Sequence, residues 1–299
     1  KMRSALYYAD YQRAKEAAKA IMDLGQYELD PSFENIFMVS GQNSKEIIAA
    51  VQHDENLYSN WMIATMYNNS DAGWSSMVPS KNLIDAYEMS NGLTKEEAGS
   101  GYDPVHPFAN RDPRFYRTFA FPGVRWAFDG DPRNASNNNP YTGEKYNLWN
   151  YVWYANETDR DNEEASSSNT YGSDNLLTNA KGFYIRKRSD DLDINSSARY
   201  EFSQANGFKF SGSPYLEIRY AEVLLNYAEA ACGAGEMGVA VEQLKKIRAR
   251  VGYTSTNNFG LQTNLSSDQS ACFAAILYER QIELAYEGKR FDDLRRWML

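Results

Sequence analysis

Five aromatic residues fall within nine positions at Tyr146, Trp149, Tyr151, Trp153 and Tyr154. In an extended segment side chains alternate between faces, so Trp149, Tyr151 and Trp153 would share one face. A flat row of rings suits the apolar C–H face of a pyranose. Asn147, Asn150, Asn156, Asp159 and Arg160 lie near enough in sequence to bond its hydroxyls. Trp126 sits in a similar setting beside Arg125, Phe128 and Asp129, and Trp61 and Trp74 flank an Asn-rich turn at 68–73. The same rings would equally form one face of an ordinary core strand, and spacing alone leaves both readings open. Composition favours some ring surface outside the core: 22 Tyr, 14 Phe and 6 Trp make up 14% of the 299 residues, more than a core readily absorbs.

Other chemistries find less support. His53 and His106 are the only histidines, and neither has a partner at metal-ligand spacing, so zinc catalysis is not expected. No G-x-S-x-G elbow is present to build a serine nucleophile around either of them. Gly233-Ala-Gly-Glu-Met-Gly238 fits G-x-G-x-x-G letter for letter. A dinucleotide site needs that motif after a strand and at a helix start; here a helical pattern precedes it, so it reads as an interhelical turn. Asp129-Gly-Asp-Pro-Arg-Asn134 hints at a calcium loop, but no Gly stands at the sixth position and Pro140 stands where a bidentate Glu is needed. Asp190, Asp191 and Asp193 give the same weak hint, and a surface calcium site of another kind stays open. Glycosidase chemistry needs two carboxylates across a cleft. Asp129 and Asp131 adjoin the aromatics but read as solvated loop charges. No catalytic residue, metal ligand or cofactor is therefore assigned. The sequons at Asn68, Asn134, Asn156, Asn195 and Asn264 carry meaning only in a eukaryotic secretory host.

The net charge of −9 argues against nucleic acid, whose binders present a basic patch, and against adhesion to an anionic membrane surface. No apolar run approaches a membrane span. Two cysteines, Cys232 and Cys272, are too few for a disulfide scaffold or a four-cysteine zinc site. Both fall in helical patterns and read as buried thiols, with a disulfide between them as the alternative.

The elements that must position these residues are helical at both ends. Residues 4–24 carry a stripe at Tyr7, Tyr11, Ala14, Ala18 and Ile21, stopped by Gly25. A second helix is expected over Ser80–Met89, capped by Ser80, with Leu83, Ile84 and Tyr87 on one face. Tyr215–Ala231, with Leu216, Tyr220, Leu224, Tyr227 and Ala231 in register, predicts a helix. So does Val239–Val251, through Val241, Leu244, Ile247 and Val251. Small residues at their contact (Ala221, Ala228, Ala230, Ala231, Ala240) make this pair a tetratricopeptide-like hairpin, which must stack on a neighbour. The first helix is the expected neighbour, and a third helix is expected over Asp268–Glu287. The expected fold class is therefore mainly α, a helical-repeat superhelix, divided into a helical segment at 4–91, a loop-rich insertion at 92–213 and a helical region at 214–299. The insertion holds most of the prolines, with exposed loops expected at Asp129–Pro140 and Asn156–Ala180 and a short strand over Gly182–Lys187.

Three stretches carry a family resemblance. Tyr215-Leu-Glu-Ile-Arg-Tyr-Ala-Glu-Val-Leu-Leu-Asn-Tyr-Ala-Glu-Ala230, Lys246-Ile-Arg-Ala-Arg250 and, above all, Tyr278-Glu-Arg-Gln-Ile-Glu-Leu-Ala-Tyr-Glu-Gly-Lys-Arg-Phe-Asp-Asp-Leu-Arg-Arg-Trp297 resemble the signature of SusD/RagB nutrient-binding lipoproteins. Gly25-Gln-Tyr-Glu-Leu29, Pro79–Glu88 followed by Asn91-Gly92, and Arg111-Asp-Pro-Arg-Phe115 fit less specifically. Within the signature, Glu279, Glu283 and Glu287 are spaced i, i+4, i+8 and would repel unless cations face them. Arg219, Arg248, Arg290, Arg295 and Arg296 are the expected partners, and Trp297 is expected to be packed.

The resemblance implies a non-catalytic binder of oligosaccharide or polysaccharide on the outer face of a bacterial outer membrane. It would be held by a lipid anchor absent from this sequence and would deliver its ligand to a SusC-like TonB-dependent transporter. It implies that the family's lipidated Cys, first helical repeats and tail beyond the signature lie outside these 299 residues. It also implies an aromatic arc with polar loops, much of it in the insertion, which favours Trp126, Trp149 and Trp153; Tyr151, Tyr146, Tyr154, Trp74 and Asn150 are the further candidate ligand contacts. A glycoside hydrolase and a helical-repeat adaptor for another protein are the competing readings.

Overall fold

The computed structural model describes residues 1–53, 79–104, 107–120, 184–187 and 214–298. These residues build a mainly helical frame around one tight hairpin. Helices α1 (Met2–Tyr7) and α2 (Tyr11–Asp23) open the chain, followed by strand β1 (Ile47–Val51), α3 (Lys81–Ala86) and α4 (Pro113–Thr118). Two-residue strands β2 (Phe119–Ala120) and β3 (Tyr184–Ile185) pair antiparallel, as do β1 and β4 (Tyr215–Arg219). Helices α5 (Tyr220–Gly233), α6 (Met237–Arg250), α7 (Gln269–Glu283) and α8 (Arg290–Arg296) complete the frame. Among the described residues no helix is long and apolar enough to cross a membrane.

The α5–α6 hairpin is the centre of the core. Leu224, Leu225, Ala228 and Ala231 of α5 meet Ala240, Val241, Leu244 and Ile247 of α6, with Cys272 and Ile276 of α7 closing the third side. All five small residues expected at the hairpin contact are fully buried. Each buried Leu or Ile contributes about 1.5–3 kcal/mol relative to exposure. The turn between the helices needs Gly235, at φ +84°, and Gly233, where a Cβ would lie 2.4 Å from the ring of Tyr11. That contact seats α2 on α5, through Ala18 against Val223 and Ala14 against Ala230. The glycines of 233–238 thus serve helix packing, as the preceding helix requires. Cys232 and Cys272 are free, buried thiols. Contact with Cys272, then burial, push the Cys232 thiol upward, which leaves it unreactive.

Three expected elements differ. The helix over 4–24 is broken at Ala9, whose φ is +52°, and Tyr7 is half exposed instead of lying in the stripe. Residues 215–219 form a strand and not the first turn of a helix. Leu216 and Ile218 suit either period, and β1 supplies backbone partners, with Ile47 opposite Arg219 and Val51 opposite Tyr215. The third helix ends at Glu283, because Tyr286 (φ +61°) and Gly288 (φ +75°) turn the chain into α8, so Glu287 stands in a turn. The helix expected over Ser80–Met89 forms in part, over Lys81–Ala86, with Tyr87 already extended. Ser80 caps α3 by accepting the N–H of Leu83 at 3.2 Å, and Asp268 caps α7 by accepting that of Ala271 at 3.0 Å.

Candidate functional site

The ring-bearing candidates Trp149, Trp153, Tyr151, Trp126, Tyr146, Tyr154 and Trp74, together with Asn150, lie outside the described residues, as do Asp129, Asp131, Asp190, Asp191, Asp193 and the expected exposed loops. The structure shows the base on which the 121–183 stretch stands. Its two flanks meet where Phe119 pairs with Ile185 and Ala120 with Tyr184, so the chain leaves and re-enters the frame at one place.

That place is bonded to the carboxylate column of the signature. Arg117, fully buried, donates Nε–H to the Lys187 carbonyl at 3.2 Å, and Arg186 donates to the Tyr116 carbonyl at 2.9 Å. The Lys187 ammonium donates to the Glu283 and Ala285 carbonyls at 2.8 and 2.9 Å and to Glu287 Oε1 at 2.7 Å. It also lies over the Phe37 ring, 4.8 Å from the centroid. Burial pulls the Lys187 ammonium down to about 8, against the opposing pull of Glu287.

The rest of the column is neutralised with equal completeness. Glu283 accepts from Arg219 Nη1 at 2.7 Å and Arg114 Nη1 at 3.0 Å, and from Arg250 Nη2. Glu287 takes a bidentate clasp from Arg219, at 2.7 and 2.8 Å. Glu279 accepts from Arg248 Nε at 2.8 Å and from Arg114 Nη1. Asp112, the cap of α4, holds Arg114 bidentately at 3.0 and 2.8 Å. Glu46 binds Arg219 at 2.7 Å. Burial alone would raise Glu283 and Glu287. The guanidinium groups of Arg250, Arg219 and Arg114 instead hold Glu283 well below the carboxylate range, and Arg219 and Lys187 bring Glu287 to about 2. Its charged groups are engaged with one another, so this lattice positions elements.

Of the expected partners, Arg219 and Arg248 are in place. Arg290, Arg295 and Arg296 are not: Arg296 pairs with Glu229 and Asp293, and Arg295 is exposed beside the Phe291 ring. Their turn past Gly288 aims α8 away from the column. Arg114, Lys187 and Arg250 take those places. Their signal was present in Arg111-Asp-Pro-Arg114 and in Arg248-Ala-Arg250, since an uncompensated glutamate column requires cations from somewhere. Trp297 packs edge-on against Phe273, at 5.4 Å between centroids, and donates its indole N–H to Glu229 at 3.1 Å.

Several openings are lined by described residues. A cavity of about 230 Å³ lies among Arg3, Glu217, Asn226, Lys289 and Asp292. A shallow groove runs over Ala17, Ala20, Ile21, Ile48 and Ile218. A third, of about 410 Å³, has Glu88, Arg248 and Tyr278 at its inner end. Among the described residues no group of three His, Cys, Asp or Glu side chains could hold a metal ion.

Comparison with known proteins gives one consistent answer. The sequence profile of the SusD family matches residues 33–299. A SusD-like protein P2 from Formosa agariphila is 37% identical over 105 residues, which are 34% of this chain and 20% of that protein. A SusD-like carbohydrate-binding protein from Bacteroides fragilis superposes with a TM-score of 0.69 at 23% identity, over 99% of this chain and 50% of its own. A second SusD-like protein from B. fragilis gives 0.67 at 25% identity, over 100% and 53%. A surface glycan-binding protein A from Bacteroides uniformis gives 0.53 at 20% identity, over 99% and 48%. The chain thus spans about half the length of the solved relatives it matches.

Proposed function

We propose, from the premise that the chain belongs to the SusD family, that it forms part of a glycan-binding protein of the bacterial cell surface. The protein holds oligosaccharide or polysaccharide without cleaving it. It is lipid-anchored on the extracellular face of the outer membrane and passes its ligand to a SusC-like TonB-dependent transporter. The family match over residues 33–299 carries this reading. Relatives described as carbohydrate-binding and as surface glycan-binding support it.

The division of labour follows the chain. Residues 4–91 and 214–299 make most of the frame, joined by 113–120 and 184–187, and 92–213 carry most of the ligand contacts. Trp149, Tyr151 and Trp153, with Trp126, Tyr146, Tyr154, Trp74 and Asn150, stack on and bond the sugar. Single contacts of this kind are weak, so affinity comes from several rings acting on one extended ligand.

A polysaccharide affinity gel and glycan-array screen on the full-length protein tests the binding. A reducing-sugar assay on the retained glycan tests the absence of cleavage. Retardation by at least one polysaccharide with no release of reducing ends is the expected result. Turnover that disappears with one carboxylate substitution makes the protein a hydrolase instead. Silence on every glycan together with tight transporter binding makes it an adaptor.

A further inference from the structure

The cavity of about 410 Å³ lies between the loop 88–97, the Ser255–Gly260 turn and α7. Its existence depends on two glycines that let those loops touch. A Cβ on Gly92 would lie 2.3 Å from the Gly260 Cα, and one on Gly260 would lie 2.8 Å from Arg248 Nη1. One wall is apolar: Ala271, Ala274 and Ala275 present a small-residue face of α7, with Leu93, Leu261 and Leu265, while Asn91, Thr94, Asn257 and Gln262 make the rest of the lining polar. The volume is that of a site for a small organic molecule.

The inner end carries a carboxylate that the frame leaves poorly compensated. Arg248 spends its Nε on Glu279 and its Nη1 on the Phe259 and Gly260 carbonyls, at 2.8, 3.3 and 3.0 Å. Its Nη2 reaches 3.0 Å from Glu88 Oε2, yet that oxygen has no hydrogen-bond donor. The two facts agree if the N–H points elsewhere, so the contact is one of charge alone. The Glu88 side chain is 12% exposed, and the second acid of the lining, Glu97, stands at the rim. An anion entering here meets two carboxylates and a guanidinium already neutralised. A neutral polyol would find hydrogen-bond partners in Asn91, Thr94, Asn257 and Gln262 but would not offset the charge of Glu88. An organic cation satisfies both the apolar wall and the acid.

We propose that this cavity binds a small organic ammonium ion, its nitrogen on Glu88 and its apolar body against the alanine face of α7. The proposal does not rest on the glycan reading. Burial raises Glu88 to about 7, with Arg248 lowering it and Glu279 and Asp112 raising it further; Arg114 also faces it and lowers it. A bound ammonium ion therefore displaces a proton from Glu88 near neutral pH.

The test is isothermal titration of this chain with cyclohexylammonium, its neutral counterpart cyclohexanol and the anion cyclohexanecarboxylate. The expected result is binding of the amine at least about tenfold tighter than either control. Titration near pH 7 in two buffers of different ionisation heat should show proton release, which Glu88→Gln removes along with the preference for the amine. Ala274→Phe, at an exposed position on the cavity wall, should fill the space and abolish binding without lowering the melting temperature. Equal affinity for cyclohexanol, no binding of the amine, or unchanged affinity in a folded Ala274→Phe variant overturns the proposal.

Discussion

The Lys187 ammonium stands 2.7 Å from the Glu287 carboxylate, across 100 residues of chain. Lys187 lies two residues past β3, and Glu287 sits in the turn of the family signature. The bond therefore ties the root of the insertion to the terminal helices. Lys187→Met removes the cation but leaves two carbonyls and a carboxylate behind in a buried site. The expected cost is about 3–5 kcal/mol, read from urea unfolding. A loss below about 1 kcal/mol would mean that water replaces the ammonium freely.

Acid should unfold the frame through Glu283 and Glu287. Both carboxyls are held below their unfolded values, Glu287 at about 2 against 4.5. Their contribution is complete above the unfolded value and is lost as pH falls toward the folded one. Urea midpoints should therefore drop steeply between about pH 4.5 and about pH 2, and Glu287→Gln should flatten part of that slope while lowering stability at pH 7.

Gly92 and Gly99 offer a matched pair. Both have left-handed backbones, at φ +83° and +84°. A Cβ at Gly92 collides with Gly260, whereas one at Gly99 meets nothing within 4 Å. Gly99→Ala should cost only its backbone strain, about 1 kcal/mol, and Gly92→Ala should cost at least twice as much. Thermal unfolding of the two variants side by side measures the difference. Equal melting temperatures would show that the two loops part without penalty.

The glycan reading predicts a split between rings and frame. Trp149→Ala or Trp153→Ala should weaken oligosaccharide binding severalfold in titration calorimetry and leave the melting temperature nearly unchanged. Glu283→Ala should do the reverse, since it strips the partner from Arg219, Arg250 and Arg114 together. A large stability loss on removing either tryptophan would mark it as core.

How much of this was legible follows physical lines. The α5–α6 hairpin shows in its alanines and leucines because helical packing is local and repeats with the turn of the helix. Residues 215–219 do not show, since Leu216 and Ile218 suit both helix and strand and only the distant β1 decides between them. The glutamate column is visible from its spacing. Three of its cations are not, because a fully buried Arg114 or Lys187 defies the usual preference for exposure and comes from segments far from the column. Arg295 illustrates the opposite error: its place in the signature suggested a partner, but the turn at Tyr286 and Gly288 leads it into solvent. The aromatic candidates stand where the sequence left them, as an expectation for titration to settle.

The cation lattice also sets an order of events during synthesis. Arg114, Lys187, Arg219, Arg248 and Arg250 are all made before Glu279, Glu283 and Glu287, the acids they close on. While the ribosome is still adding the helix that bears those acids, Arg114 can pair with Asp112, Arg219 and Arg250 with Glu46, and Arg248 with Glu88, but the rest of the lattice waits for the acids still to come. Completion of the lattice is thereby deferred to the final stretch of translation.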